Sequence, residues 1–461
     1  MADSPGAGLA KVVIAAPKRR LDLALPEQIP LAMLLPSVLP RADEALADSG
    51  LEHGGWTLRR TDGSTLDLGR TLAAQNVRDG EILHLAPRYQ EWPELEYDDV
   101  AEAIASGARR YGVAWSSAAT RVTGLVAGVC VLLGTLAMLL ASGPGWAVPA
   151  TVALVVAACL LAAAVVVSRT LPDAMAGATV GAVSLVYAFA GGLTVLGGRD
   201  PLGRLGAPHL LLGSAVLLVF GLLGYLGVAA MVRLFVAGIV AGLLGILAGL
   251  VGLTALGTPA TAAATVSALA LLAPALPLLS IRLGKVPLPA LPRTADDLLK
   301  QDPTPPAVST YASVARADEI LTGCMLAFTM VNVVCLWLIS RGSGVAVPLL
   351  IAVVSLVCLL RARIFGTVRH RLPWLVTGLL GLATLLPALS RAELGVRLGA
   401  GLLMILAAGA TITAGLRYSR RGPSVYLSRV ADIADILLVL ATIPIACGVL
   451  GLYGMVRGLG G

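Results

Sequence analysis

The side chains that could do chemistry in this chain are few. Their spacing points away from catalysis. A zinc hydrolase would need His-Glu-x-x-His on one helix face, and none of His53, His84, His209 and His370 belongs to such a motif. Phosphate binding would need Gly-x-x-x-x-Gly-Lys-Ser/Thr. Gly284-Lys285 is followed by Val286 and lacks the earlier glycine. Cys130, Cys159, Cys324, Cys335, Cys358 and Cys447 all lie in apolar runs without Cys-x-x-Cys spacing. Each reads as a small packing hydrophobe. Ion-coupled transport would place ionisable groups mid-membrane. Asp432 and Asp435 come nearest, at the start of the last apolar run, and read as charges favoured at a helix N-terminus. Asn332 is the most polar residue in the middle of any run. The expectation is a protein that is not an enzyme, with no cofactor, no metal site and no nucleotide site.

The elements that would position any such group are mostly membrane helices. The chain has 461 residues, of which 57% are hydrophobic and 13% charged. Soluble domains carry about 25% charged residues. The net charge of +7 could suggest nucleic acid. The basic residues cluster at the ends of apolar segments instead, so no nucleic-acid partner is expected. No secretory signal is expected, because the first apolar stretch is short and runs into Lys18, Arg19 and Arg20.

Residues 9–87, behind a flexible tail over 1–8, read as a compact α+β module. "KVVIA" is a strand candidate. Leu21, Leu23 and Leu25 alternate as in a strand with one buried face. A helix is expected over 29–49, started by Pro30 and broken or kinked by Pro36 and Pro40. "WTLRRTDGSTLDL" predicts a hairpin with Asp62-Gly63 as a two-residue turn. "ILHLA" closes the module, with Leu83 and Leu85 facing one way. This order resembles ubiquitin and the β-grasp fold. Thr71-Leu72, Asn76 and Leu83-His84-Leu85 match the corresponding ubiquitin residues in type and spacing. Ubiquitin's Arg-rich tail and Gly-Gly end are replaced here by Pro87-Arg88-Tyr89, so conjugation through this module is excluded. Gly460-Gly461 follows a membrane helix and does not read as a conjugation signal.

Residues 88–118 predict a linker with a juxtamembrane helix, opened by Asp98-Asp99 and closed by Arg109-Arg110. Tyr111 and Trp115 are placed as interfacial anchors. A span needs about 20 apolar residues. Eleven segments of that length lie within 119–457: near 119–141, 146–167, 174–197, 209–230, 234–256, 259–281, 319–340, 344–360, 373–390, 394–416 and 434–456. With the module cytoplasmic, alternation leaves only Arg199, Arg204, Arg341, Arg391, Arg397 and Arg457 outside, of 34 basic residues. That asymmetry orients the chain and puts the C-terminus on the extracytoplasmic side. Gly238, Gly242, Gly245 and Gly249 repeat at the spacing that lets helices approach closely in lipid.

Residues 282–318 form a long cytoplasmic loop between the sixth and seventh spans. It carries Pro287, Pro289, Pro292, Pro303, Pro305 and Pro306, which favour extended backbone. It reads as a docking strap for a cytoplasmic partner. Leu291, Leu298 and Leu299 are its apolar contacts, and Asp296-Asp297 opens a short helix. The alternative is a passive connector.

A ubiquitin-like module with "TLAAQNVRDGEILHLAP", an "EYDDV…ARR" linker, eleven spans and a Pro-rich loop after the sixth together resemble the EccD family. These are polytopic membrane subunits of actinobacterial type VII (ESX) secretion systems. The excess of 30 Arg over 4 Lys also suits such a source. The resemblance implies a scaffold or conduit in a bacterial inner membrane. It implies a dimer with a second copy that encloses lipid, and EccC-type ATPase, EccB-type and EccE-type partners. It also implies that the module and the long loop hold cytoplasmic parts of those partners. A secondary transporter or permease for a small solute, and a membrane enzyme acting on lipid or envelope substrate, are the alternatives.

Overall fold

The computed structural model describes residues 8–16, 19–42, 55–87, 115–170, 173–228, 230–254, 256–287, 307–420 and 425–453. They fall into two compact units, within 1–114 and 115–461.

In the first unit, strands β1 (Leu9–Ala15), β2 (Arg20–Pro26), β3 (Trp56–Arg60) and β4 (Ile82–Pro87) form one mixed sheet in the order β2-β1-β4-β3. The outer pairs are antiparallel and the central β1–β4 pair is parallel. This is the ubiquitin-like arrangement. Period-2 alternation puts Ala10, Val12 and Ile14 of β1 and Leu83 and Leu85 of β4 in the core. They pack there with Leu31, Leu34, Leu35 and Val38 of helix α1 (Leu31–Ala42).

Two local expectations need correction. Helix α1 runs through Pro36 and Pro40 without breaking. Both prolines sit on its exposed face, where water can satisfy the carbonyls left without a donor. Its described part ends at Ala42, and the remainder of the expected 29–49 helix lies outside the described residues. The Asp62-Gly63 hairpin is a three-residue loop rather than a two-residue turn. Gly63 N donates to the Arg60 carbonyl, Arg60 N donates to the Ser64 carbonyl, and Gly63 takes φ +90°. The returning limb keeps one bridge, Arg59 to Thr65. The Ser64 hydroxyl and amide both donate to Asp62 and hold its carboxyl below the usual carboxylate range. Asn76 takes the left-handed conformation that closes the Ala73–Gln75 turn.

The second unit is helical: α2 (Ser117–Ala141), α3 (Ala147–Thr170), α4 (Ala174–Thr194), α5 (Ala207–Gly227), α6 (Val232–Gly252), α7 (Thr258–Leu272), α8 (Leu276–Leu283), α9 (Ala307–Ile339), α10 (Ala346–Arg361), α11 (Val368–Ala383), α12 (Leu386–Ser390), α13 (Leu394–Arg420) and α14 (Val425–Val449). With α7–α8 and α11–α12 each taken as one interrupted span, eleven among the described residues are long and apolar enough to cross a membrane. Pro274 explains the first interruption, since the α-helical bonds give way to a 3₁₀ turn over Ala273–Ala275. The innermost packing lies around α7, α9 and α10, where Leu336, Ile339 and Leu350 are fully buried. At the periphery, α2 buries only Leu136, and no described residue of α13 is buried.

Two span boundaries move. The seventh helix starts at Ala307, so the last twelve residues assigned to the long loop are helical. No proline follows Pro306 there, and Ala317 packs directly on Gly284. The eleventh begins at Val425 rather than near 434.

Candidate functional site: the ion-paired end of the helix bundle

Because successive spans alternate in direction, starts of odd spans and ends of even spans share one end of the bundle. In the second unit, every ion pair among the described residues lies there. Arg121 on α2 pairs with Asp173, which caps α4 by accepting from Ala176 N. That amide bond, together with Arg121, holds the Asp173 carboxyl below its usual range.

The densest cluster joins α6, α9 and α11. Glu319 accepts from the Arg233 backbone N–H at 3.1 Å and its guanidinium at 2.8 Å. Arg369 reaches Asp318 at 3.1 Å and Glu319 at 3.5 Å. Buried His370 lies 3.2 Å from Asp318 through Nε2. Its ring nitrogens also meet the hydroxyls of Thr322 and Thr367, at 3.1 and 2.9 Å. The ring therefore has polar partners on both nitrogens and is positioned rather than free.

The second cluster ties α14 to the bundle. Arg361 ends α10 with its side chain only 6% exposed, and its Nε lies 3.2 Å from Asp435. One terminal nitrogen donates to the Ala270 carbonyl at 2.6 Å. Residue 274 is proline, so that carbonyl has no i+4 amide to accept from, and Arg361 takes the missing donor's place. Arg363 pairs with Asp432 and donates to the Ser428 carbonyl at 3.1 Å. Asp432 and Asp435 are therefore ion-pair partners, and their reading as helix-start charges is corrected. Because α14 begins at Val425, Asp435 lies roughly 15 Å along it at 1.5 Å per residue, past the first turn where the helix dipole acts.

Mid-depth polarity is slight. Met325, Phe328, Thr329, Asn332, Trp374 and Thr377 line a crevice with no room for a water-sized molecule. Asn332 Nδ2 donates to the Phe328 carbonyl at 2.7 Å, and the Trp374 indole N–H has no partner among the described residues. Among the described residues, no three His, Cys, Asp or Glu side chains gather as a metal site would. The ion pairs clamp helices to one another at one membrane face.

The glycines singled out by spacing sit on α6 against its neighbours. A Cβ on Gly242 would lie 2.9 Å from Leu218 N and the Ser214 carbonyl of α5, and one on Gly249 2.7 Å from Leu211 Cγ. On Gly245 it would strike the Ser214 hydroxyl, and on Gly238 it would come within 3.0 Å of Leu185 on α4. The proposed docking residues Leu291, Asp296, Asp297, Leu298, Leu299, Arg109 and Arg110 all lie outside the described residues, as does the juxtamembrane helix. Sequence reasoning missed Arg233, Asp318, Glu319, Arg361, Arg363, Arg369 and His370. The available signal was that acids, Asp318 and Glu319 among them, fall at helix ends on the same membrane face as the arginines, which invites pairing.

Similarity to known proteins covers nearly the whole chain. The family described as EccD-like transmembrane domain matches residues 120–459. The family described as WXG100 protein secretion system (Wss), protein YukD, matches residues 9–85. Two curated relatives, each named ESX-4 secretion system protein eccD4, come from Mycobacterium tuberculosis strains H37Rv and CDC 1551. Each is 29% identical over 475 residues, covering 98% of both chains. A chain of protomer 1 of the ESX-3 core complex superposes with a TM-score of 0.57 at 19% identity, covering 97% of this chain and 100% of that one. The MycP5-free ESX-5 inner membrane complex, State II, contains a chain matching with a TM-score of 0.56 at 20% identity, over 88% and 99%.

Proposed function

The chain belongs to the EccD-like transmembrane family, and from that premise we propose that it is a non-catalytic scaffold and conduit component of a type VII (ESX) protein secretion complex in an actinobacterial inner membrane. The observation carrying this is the pairing, in one chain, of a ubiquitin-like module with an eleven-span EccD-like domain. The names of the relatives at full length point the same way. In this reading the N-terminus and the long loop face the cytoplasm and the C-terminus lies outside. The domains follow as a tail over 1–8, a docking module over 9–87, a linker over 88–118 and the membrane domain over 119–457. The chain pairs with a second copy. Its module and loop hold an EccC-type ATPase, and EccB-type and EccE-type subunits complete the complex.

Gentle extraction with an affinity tag on this chain tests the reading. Recovery with an FtsK-like ATPase and at least two copies of this chain is the expected result. Removing residues 9–87 should leave the membrane domain folded and release the ATPase. Recovery as a lone monomer or homodimer under several detergents would contradict the proposal and favour the permease reading.

The loop carries its own prediction. Replacing residues 287–306 with a Gly/Ser linker of equal length should weaken partner retention, because flexible linkers lose the stiffness of a Pro-rich strap. An unchanged complex mass after detergent extraction would reduce the loop to a connector.

A further inference from the structure

The end of the bundle opposite the ion pairs carries a loop with two exposed arginines and one exposed acid, Asp200. Residues 195–206 join α4 to α5, and Arg199 and Arg204 there are exposed. Neither has a side-chain hydrogen bond or ion pair among the described residues. By alternation they stand on the face that carries few of the chain's basic residues. The loop is nonetheless fixed. Trp146, 2% exposed, donates from its backbone to the Gly198 carbonyl at 3.1 Å and from its indole to the Asp200 carbonyl at 2.7 Å. Leu196 and Leu202 on the same loop are exposed, as residues meeting the upper acyl region would be.

Below this loop runs an apolar groove between α3 and α5. It is lined by Leu154, Ala215, Val216, Val219 and Phe220 and has a volume of about 420 Å³. Leu154 and Val216 both rest on α4, at Gly191 and Gly192. Counted from the helix starts at Ala147 and Ala207, the lining lies about 10–20 Å below the loop at 1.5 Å per residue. The hydrocarbon half-thickness of a bilayer is about 15 Å.

We propose that this groove and Arg199–Arg204 form one binding site for an anionic phospholipid of the leaflet on that side, with an acyl chain in the groove and the phosphate at the arginines. Charge complementarity selects the headgroup, and the apolar lining selects a chain over a soluble anion. The site stands independently of the secretion reading.

Native mass spectrometry of the delipidated full chain, titrated with phosphatidylglycerol or phosphatidylcholine, tests it. One phosphatidylglycerol should bind saturably and in preference to phosphatidylcholine. The double substitution Arg199→Gln/Arg204→Gln, on exposed side chains, should weaken that binding about tenfold or more. Ala215→Phe, which fills the groove, should weaken it as well. Inorganic phosphate should not compete. Equal binding of the two lipids, unchanged affinity in the arginine variant, or competition by inorganic phosphate would each overturn the site. Loss of a co-purifying subunit in Ala215→Phe, with lipid retained, would overturn it in favour of a protein occupant.

Discussion

Arg361→Ala is expected to destabilise the helix bundle by about 3–5 kcal/mol, the cost of breaking a buried ion pair by removing one partner. Two groups lose their compensation at once. Asp435, with its side chain 19% exposed, keeps a charge at the α10–α14 contact without its cation. The Ala270 carbonyl, denied its i+4 backbone donor by Pro274, loses the bond from Arg361 as well. Arg361→Lys should fall between, because one ammonium cannot match a guanidinium fork that meets a carboxylate and a carbonyl together. Pairing Arg361→Met with Asp435→Leu should recover about half of the loss, leaving roughly 1–3 kcal/mol for the unsatisfied carbonyl. The neighbouring pair is the internal control. Asp432 is 60% exposed, so Asp432→Asn should change stability by only about 0–1 kcal/mol. Thermal unfolding of the detergent-solubilised chain measures all four. Equal effects of the Arg361 and Asp432 variants would show that burial does not set the strength of these pairs.

The parts of this architecture visible in the sequence are those set by local periodicity. Alternating Leu83 and Leu85, and the Val12 and Ile14 of β1, mark strands because side chains point to opposite faces every residue. Eleven apolar runs mark eleven spans because a bilayer demands backbone bonds satisfied within each segment. What was hidden depends on neighbours distant in sequence. Pro36 and Pro40 look like helix breakers until their outward facing is known. Asp435 looks like a helix-start charge until Arg361, 74 residues away, is seen beside it. The first turns of α9 look like loop until Ala317, near its start, is seen packed on Gly284, 33 residues away. The identity of the family was legible because it rests on the order of modules, which requires no contacts. The ion-paired face was illegible for the converse reason.

Gly242→Ala should cost about 1–3 kcal/mol, the range for overpacking a close contact, and Gly242→Leu should cost more. The added Cβ would lie 2.9 Å from Leu218 N, Leu218 Cβ and the Ser214 carbonyl. Two of those atoms are backbone, so a rotamer change cannot relieve the clash and α5 must move away from α6. Movement then uncovers the contacts on either side, at Gly238 and Gly249, because the helices meet along one glycine stripe. Gly409 on α13 provides the opposite case: its Cβ would meet nothing within 4 Å. Gly409→Ala should leave the isolated chain unchanged or stabilise it by up to about 1 kcal/mol, through helix propensity alone. Both helices are glycine-rich, so composition predicts the same response from each, whereas geometry predicts opposite signs. Unfolding of the two alanine variants in one detergent separates these views. Destabilisation by Gly409→Ala together with tolerance of Gly242→Ala would mean that the α5–α6 contact does not hold the bundle together. The predicted order would place the stability of this domain in backbone-to-backbone approach, which the spacing of glycines makes possible and the facing helix decides.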